Sequence, residues 1–98
     1  MDITKNVNGS ALNIALAGRL DTITAPALDK ELKDSLPGIE TLSIDFSKLE
    51  YISSAGLRVL LGAQKVMNRQ GSMTVSNVSE NIMEIFEMTG FSDILTIV

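Results

Sequence analysis

A chain of 98 residues, 45% of them hydrophobic, is long enough to bury roughly 60–70% of the surface its unfolded form exposes. It is too short for two cores, so one domain spanning residues 1–98 is expected. The formal charge of −4 is spread without a basic block, which argues against nucleic acid as the main partner. Cysteine and histidine are both absent, which excludes disulfides, zinc clusters and Cys-His or Ser-His nucleophile pairs.

No apolar run approaches a membrane span, and Met1-Asp2-Ile3-Thr4-Lys5 does not open a leader sequence. The expectation is a soluble, cytoplasmic protein. Ile3 to Val7 reads as a short strand, and Asn8-Gly9 as the central pair of a type I′ hairpin turn. Ala11 to Ala17 then alternates, with Leu12, Ile14 and Leu16 on one face and Ala11, Asn13, Ala15 and Ala17 on the other. The small second face would let a helix pack closely.

Gly18 to Ile23 reads as a loop, and Thr24 with Pro26 as a helix start. Leu28, Leu32 and Leu36 recur at four-residue spacing, Asp29, Lys30, Glu31, Lys33 and Asp34 supply an outer face, and Pro37-Gly38 stops the helix. Thr41 to Phe46 is the next strand, with Leu42, Ile44 and Phe46 inward, and Lys48 to Ile52 carries the chain to Ser53-Ser54.

The run from Leu57 to Met67 is apolar over much of its circumference, with a narrow polar stripe of Arg58, Gly62, Lys65 and Arg69. That pattern predicts a mostly buried helix, closed by Gly71. Ser72 to Asn77 is a strand with Met73 and Val75 inward, and Ser79 caps a last helix whose inward stripe is Ile82, Ile85, Phe86 and Met88. Ile94 to Val98 is expected to close as an edge strand. Met67, Met73, Met83 and Met88 suit an adaptable binding surface but fit core filler better at these spacings.

The order strand, strand, helix, strand, helix, strand, helix, strand predicts an α/β fold: a mixed, mostly parallel sheet of four or five strands with an N-terminal hairpin and three main helices. Within it Ser53-Ser54-Ala55-Gly56 stands out as a run of small residues between an apolar strand end and an apolar helix, open to close approach by a partner. A serine there has two readings. It can be an N-cap, or it can carry a phosphate stabilised by the helix dipole and free amides. An all-carboxylate catalytic site would draw on Asp21, Asp45 and Glu50. Each has a simpler role, Asp21 as a turn or cap residue, Asp45 at a strand end and Glu50 as a surface charge, so no enzyme activity is expected.

The run Asp45-Phe46-Ser47, Leu49, Tyr51-Ile52-Ser53-Ser54-Ala55-Gly56-Leu57 resembles the signature of the anti-sigma factor antagonist family, the STAS domain. Gly18-Arg19-Leu20-Asp21-Thr22 with Thr24-Ala25 is similar to that family's second motif, and Phe86, Met88-Thr89-Gly90-Phe91 to its C-terminal helix ending. The resemblance implies a phosphorylation-controlled partner switch. The unphosphorylated protein would bind a serine-kinase anti-sigma factor, be released on phosphorylation by that kinase using ATP and magnesium, and be reset by a serine phosphatase. It places the phosphoacceptor at Ser54, with Ser53 as the alternative, and the partner surface at Asp21, Thr22, Ser53, Ser54, Ala55, Arg58, Leu61 and Gly62. Many relatives carry an acidic residue where this chain has Ser53 and a second serine where it has Ala55. No resident cofactor or metal is implied, and a monomer is the expectation. The alternative is a soluble STAS interaction subunit of a membrane transport system.

Overall fold

The computed structural model describes residues 1–98. Its elements are β1 (Asp2–Asn8), β2 (Ala11–Leu20), α1 (Ala25–Ser35), β3 (Thr41–Ile52), α2 (Ser54–Gln70), β4 (Ser72–Ser76), α3 (Glu80–Thr89) and the short α4 (Phe91–Ile94). The sheet runs β1-β2-β3-β4, with β1 antiparallel to β2 and the other pairs parallel. No helix is long and apolar enough to cross a membrane.

The hairpin forms one residue later than Asn8-Gly9 predicts. Asn8 pairs with Ala11, so Gly9 and Ser10 are the central residues. Gly9 alone takes a positive φ, 63°, as a turn with glycine first requires. The expected fifth strand is also reduced. Phe91–Ile94 turns as α4, and the tail reaches the sheet through a single parallel bridge of Val75 to Ile97, with Val75 N–H donating to Thr96 O and Val98 N–H to Val75 O, both at 2.9 Å.

One core of 23 buried residues is built from Leu12, Ile14, Leu16 and Leu20 of β2, Leu42, Ile44, Phe46, Leu49 and Ile52 of β3, Met73 and Val75 of β4, the inward faces of α1, α2 and α3, and Leu36, Ile39 and Leu95 from the connections. The other face of the sheet has no helix over it. Asn13 is exposed and Ala15, Ser43, Asp45 and Thr74 are half-buried, so the small residues of β2 serve an open polar face rather than a second helical layer.

β3 runs through the stretch where its alternation fails. Ala15 and Ala17 of β2 pair with Asp45 and Lys48, and Gly18 and Arg19 with Leu49 and Tyr51, so β3 carries one extra residue at each step. These bulges change the inward spacing from two to three, which is why Phe46, Leu49 and Ile52 are all buried. Asp45 lies at the first bulge and not at a strand end. It accepts hydrogen bonds from Ser47 N–H and Asn77 Nδ2, both at 2.9 Å, and these two donors, Asn77 first, hold its carboxyl below the ordinary value of 3.8.

α2 buries a narrower stripe than predicted. Gly56, Leu57, Leu60, Ala63, Gln64 and Met67 are buried, while Val59 and Leu61 are half-buried and Val66 is 38% exposed. On α3, Ile82 and Phe86 are buried and Phe86 meets Phe46 with ring centroids 6.1 Å apart. Met88 points outward, 86% exposed, so only Met67 and Met73 of the four methionines are fully buried filler. Ser79 caps α3 as expected, accepting from Ile82 N–H at 3.3 Å.

Candidate functional site

β2 and β3 are parallel, so the chain leaves both of them at the same edge of the sheet. This edge brings the Asp21–Thr24 turn beside the Ser53-Ser54 turn, and Ser53 N–H donates to Leu20 O at 2.9 Å. Residues separated by about thirty positions in sequence thus share one small surface at the start of α1 and α2.

The first turn is held by a reciprocal pair. Asp21 N–H donates to Thr24 Oγ1 at 2.9 Å, and Asp21 Oδ1 accepts from Thr24 N–H at 3.1 Å and Ile23 N–H at 3.0 Å. The Thr24 hydroxyl donates to Arg19 O at 2.8 Å. Thr24 precedes α1 but its oxygen does not cap that helix; it faces back to Asp21. The Thr24 amide, followed by those of Ile23 and the neighbouring Arg19 charge, depresses the Asp21 pKa from 3.8. Arg19 lies 3.8 Å from the Asp21 carboxylate and stacks over Tyr51 at 4.3 Å, linking the turn to the end of β3. The turn leaves Thr22 and Ile23 exposed at its tip.

The two serines of the second turn have different tasks. Ser53 is extended, with φ −98° and ψ 174°, and its Oγ accepts from Gly56 N–H at 3.3 Å as the N-cap of α2. Ser54 is the first helical residue, exposed, and its hydroxyl makes no hydrogen bond within the chain. The free end of the helix, with its unpaired amides and positive dipole end, therefore lies under Ser54.

Gly56 is small for an internal reason, not to admit a partner. A Cβ there would lie 2.7 Å from Leu20 Cγ and 2.9 Å from Ile52 Cγ1, so glycine lets the first turn of α2 sit directly on the ends of β2 and β3. Gly71 likewise leaves room for the Glu40 carbonyl, which accepts from Ser72 N–H at 2.9 Å. Gly62 is the opposite case, since nothing lies within 4 Å of its added Cβ.

Thr22, Ala55 and Arg58 line a cavity of about 260 Å³ between the starts of α1 and α2, together with Pro26, Asp29 and Val59. Asp29 and Val59 also line a second, larger groove farther along the two helices, which includes Gly62. Of the residues expected at a partner surface, Asp21 is occupied in holding its turn and Leu61 lines neither cavity. Sequence reasoning did not single out Val59 and Val66; their helical spacing from Gly62 and Ala63 could have flagged them.

The STAS-domain family model described as "Mlab, STAS domain" matches residues 3–97. The chain belongs to the STAS domain family. It is 34% identical over 98 residues to the anti-sigma-B factor antagonist of Bacillus subtilis, covering 99% of this chain and 88% of that protein. Among solved structures it is similar to an anti-sigma factor antagonist from Mycobacterium paratuberculosis, with a TM-score of 0.88 and 20% identity over 98% of this chain and 83% of the other. The anti-sigma factor antagonist SpoIIAA in its unphosphorylated form superimposes with a TM-score of 0.78 and 17% identity, covering 99% and 87% of the two chains. The likeness to the solved structures is one of fold. In this STAS protein, the paired turns and the α1–α2 surface form the candidate site.

Proposed function

We propose that this STAS protein is an anti-sigma factor antagonist working in the cytoplasm as a binding partner rather than a catalyst. Unphosphorylated, it docks on a serine-kinase anti-sigma factor through Thr22, Ser53, Ser54, Ala55, Arg58, Leu61 and Gly62, with Asp21 holding Thr22 in place; phosphorylation of Ser54 releases it, and a serine phosphatase restores it. The observation that carries this reading is the division of labour at the start of α2. Ser53 holds the helix, while Ser54 is exposed and free of structural hydrogen bonds. The relative from Bacillus subtilis, named an anti-sigma-B factor antagonist, supports the choice of partner.

A phosphate on Ser54 adds about −1.5 to −2 charges at the middle of the contact. Burying it without a cation would cost several kcal/mol against about 8 for a micromolar complex. The positive end of the α2 dipole stabilises the same charge in the free protein, so release needs no refolding. Asp21 acts on this surface indirectly, by fixing the tip that presents Thr22.

Isothermal titration of the kinase partner against wild type, Ser54→Ala and Ser54→Asp tests the proposal. Ser54→Ala is expected to bind like wild type and Ser54→Asp at least tenfold more weakly, with both folded. Equal affinity for the two variants would remove the switch and leave an interaction module, such as a transport subunit.

A further inference from the structure

The groove between α1 and α2 is lined by Leu32, Leu36, Val59, Ala63 and Val66, with a volume of about 590 Å³. Gln70 closes one end, its Nε2 donating to Leu36 O at 2.7 Å and Ile39 O at 2.6 Å. At the other end Asp29 and Val59 join it to the cavity beside Ala55 and Arg58. It is an open trough, not a sealed hole: Gly62 is exposed and Val66 is 38% exposed on its α2 wall.

The two walls differ in charge. On α1 the charges cancel in pairs, Asp29 with Lys33 at 2.8 Å, Lys30 with Asp34 at 2.7 Å, and Glu31 with Lys5 of β1 at 2.6 Å. α2 contains no acidic residue, and its three cations, Arg58, Lys65 and Arg69, form no ion pair. At 3.6 residues per turn these three fall in one row next to the row of Val59, Gly62 and Val66. A protein of net charge −4 thus places an uncompensated basic rail along its largest apolar trough.

We infer that this trough extends the docking surface beyond Arg58 and Gly62 and takes an amphipathic helix with an acidic flank from the partner protein. Apolar side chains at helical spacing fill the space between α1 and α2, and the acidic flank faces Arg58, Lys65 and Arg69. Charge complementarity of this kind sets register and selects against basic partners. The inference rests on the preceding reading for the protein that supplies the helix, and its test does not.

The probe is a fluorescein-labelled synthetic helix of about fifteen residues, roughly 22 Å long, with leucine at i, i+4, i+7 and i+11 and glutamate on one flank. Its counterpart carries lysine at each glutamate. Anisotropy should show the glutamate peptide binding at least tenfold more tightly than the lysine peptide, with amide shifts centred on Leu32, Leu36, Val59 and Val66. Lys65→Glu combined with Arg69→Glu should weaken it at least tenfold. Gly62→Leu should do the same by filling the trough, and circular dichroism should show it folded, since a Cβ at Gly62 has nothing within 4 Å. Ser54→Asp should change peptide affinity less than threefold, because Ser54 lines neither cavity; a failed switch and a failed groove are thereby told apart. Equal binding of the two peptides, no binding of either, or shifts outside the trough would overturn the inference. So would sedimentation of the protein alone as a dimer that Lys65→Glu with Arg69→Glu dissolves, which would assign the trough to α3 of a second copy, with its Glu80, Glu84 and Glu87.

Discussion

Asp21 and Thr24 cap each other, the amide of Asp21 donating to Thr24 Oγ1 at 2.9 Å and the amide of Thr24 to Asp21 Oδ1 at 3.1 Å. The carboxylate is therefore part of the scaffold that presents Thr22 and Ile23. Asp21→Ala is expected to lower the melting temperature by ~5 °C, the size of one lost cap in a chain of this length. It should also weaken the kinase complex by loosening the loop. Asp21→Asn keeps an acceptor and should recover most of the melting temperature. An unchanged melting curve for Asp21→Ala would show that the pair holds nothing.

Ser53 and Ser54 separate structure from modification. Ser53→Ala removes the cap oxygen for Gly56 N–H and should cost about 1 kcal/mol of stability. Ser54→Ala changes an exposed first-turn hydroxyl with no partner and should stay within about 0.5 kcal/mol of wild type. Incubated with the cognate kinase and ATP, Ser53→Ala should still gain one phosphate and Ser54→Ala none. Mass spectrometry placing the phosphate on Ser53 would reverse the assignment.

Much of this was legible in the residues because local signals and burial agreed. Leu28 and Leu32 of α1 and Leu36 at its C-terminal cap are all inward, as are Leu12, Ile14 and Leu16 of β2, so periods of four and two survived folding intact. The misreadings fall where tertiary pairing overrides the local pattern. β3 looked like a strand ending at Phe46 because its bulges, the first against Ala15 and Ala17 and the second against Gly18 and Arg19, break the period, and a bulge is set by the neighbouring strand. Met88 carried the helical spacing of a core residue, but nothing packs over that part of α3. At the site, the pair of serines was visible, while the reason for Gly56 lay in Leu20, far away in the sequence. The trough between α1 and α2 was hidden because it depends on how far apart two helices lie, which no single helix pattern states.

The two glycines of α2, buried Gly56 and exposed Gly62, should respond in opposite directions to the same change. Gly56→Ala puts a methyl against Leu20 and Ile52 at under 3.0 Å and should cost about 1–3 kcal/mol as overpacking. Gly62→Ala meets open space and should gain up to about 1 kcal/mol from helix propensity. Urea melts of both variants measure the difference. A destabilised Gly62→Ala would mean that α2 is already strained at the trough.

Acid should weaken the fold partly through Asp45, whose carboxylate joins β3 to Asn77 after β4 and braces the bulge at Ser47. Its folded pKa is depressed below 3.8, chiefly by the Asn77 side chain and then by the Ser47 amide. The unfolded chain consequently takes up this proton at a higher pH than the folded one does. Stability from Asp45 is complete above the unfolded value of about 4 and is lost as pH falls through that value toward the lower folded pKa. Asp45→Asn keeps a neutral acceptor but cannot titrate, so it should be less stable than wild type at pH 7, and the gap should narrow as pH falls from about 4.5 toward 2.5. Chemical melts of both proteins across that window decide the point. A gap that stays constant with pH would show that the carboxylate titrates alike in the folded and unfolded chains, and that Asn77 and Ser47 do not favour its charged form.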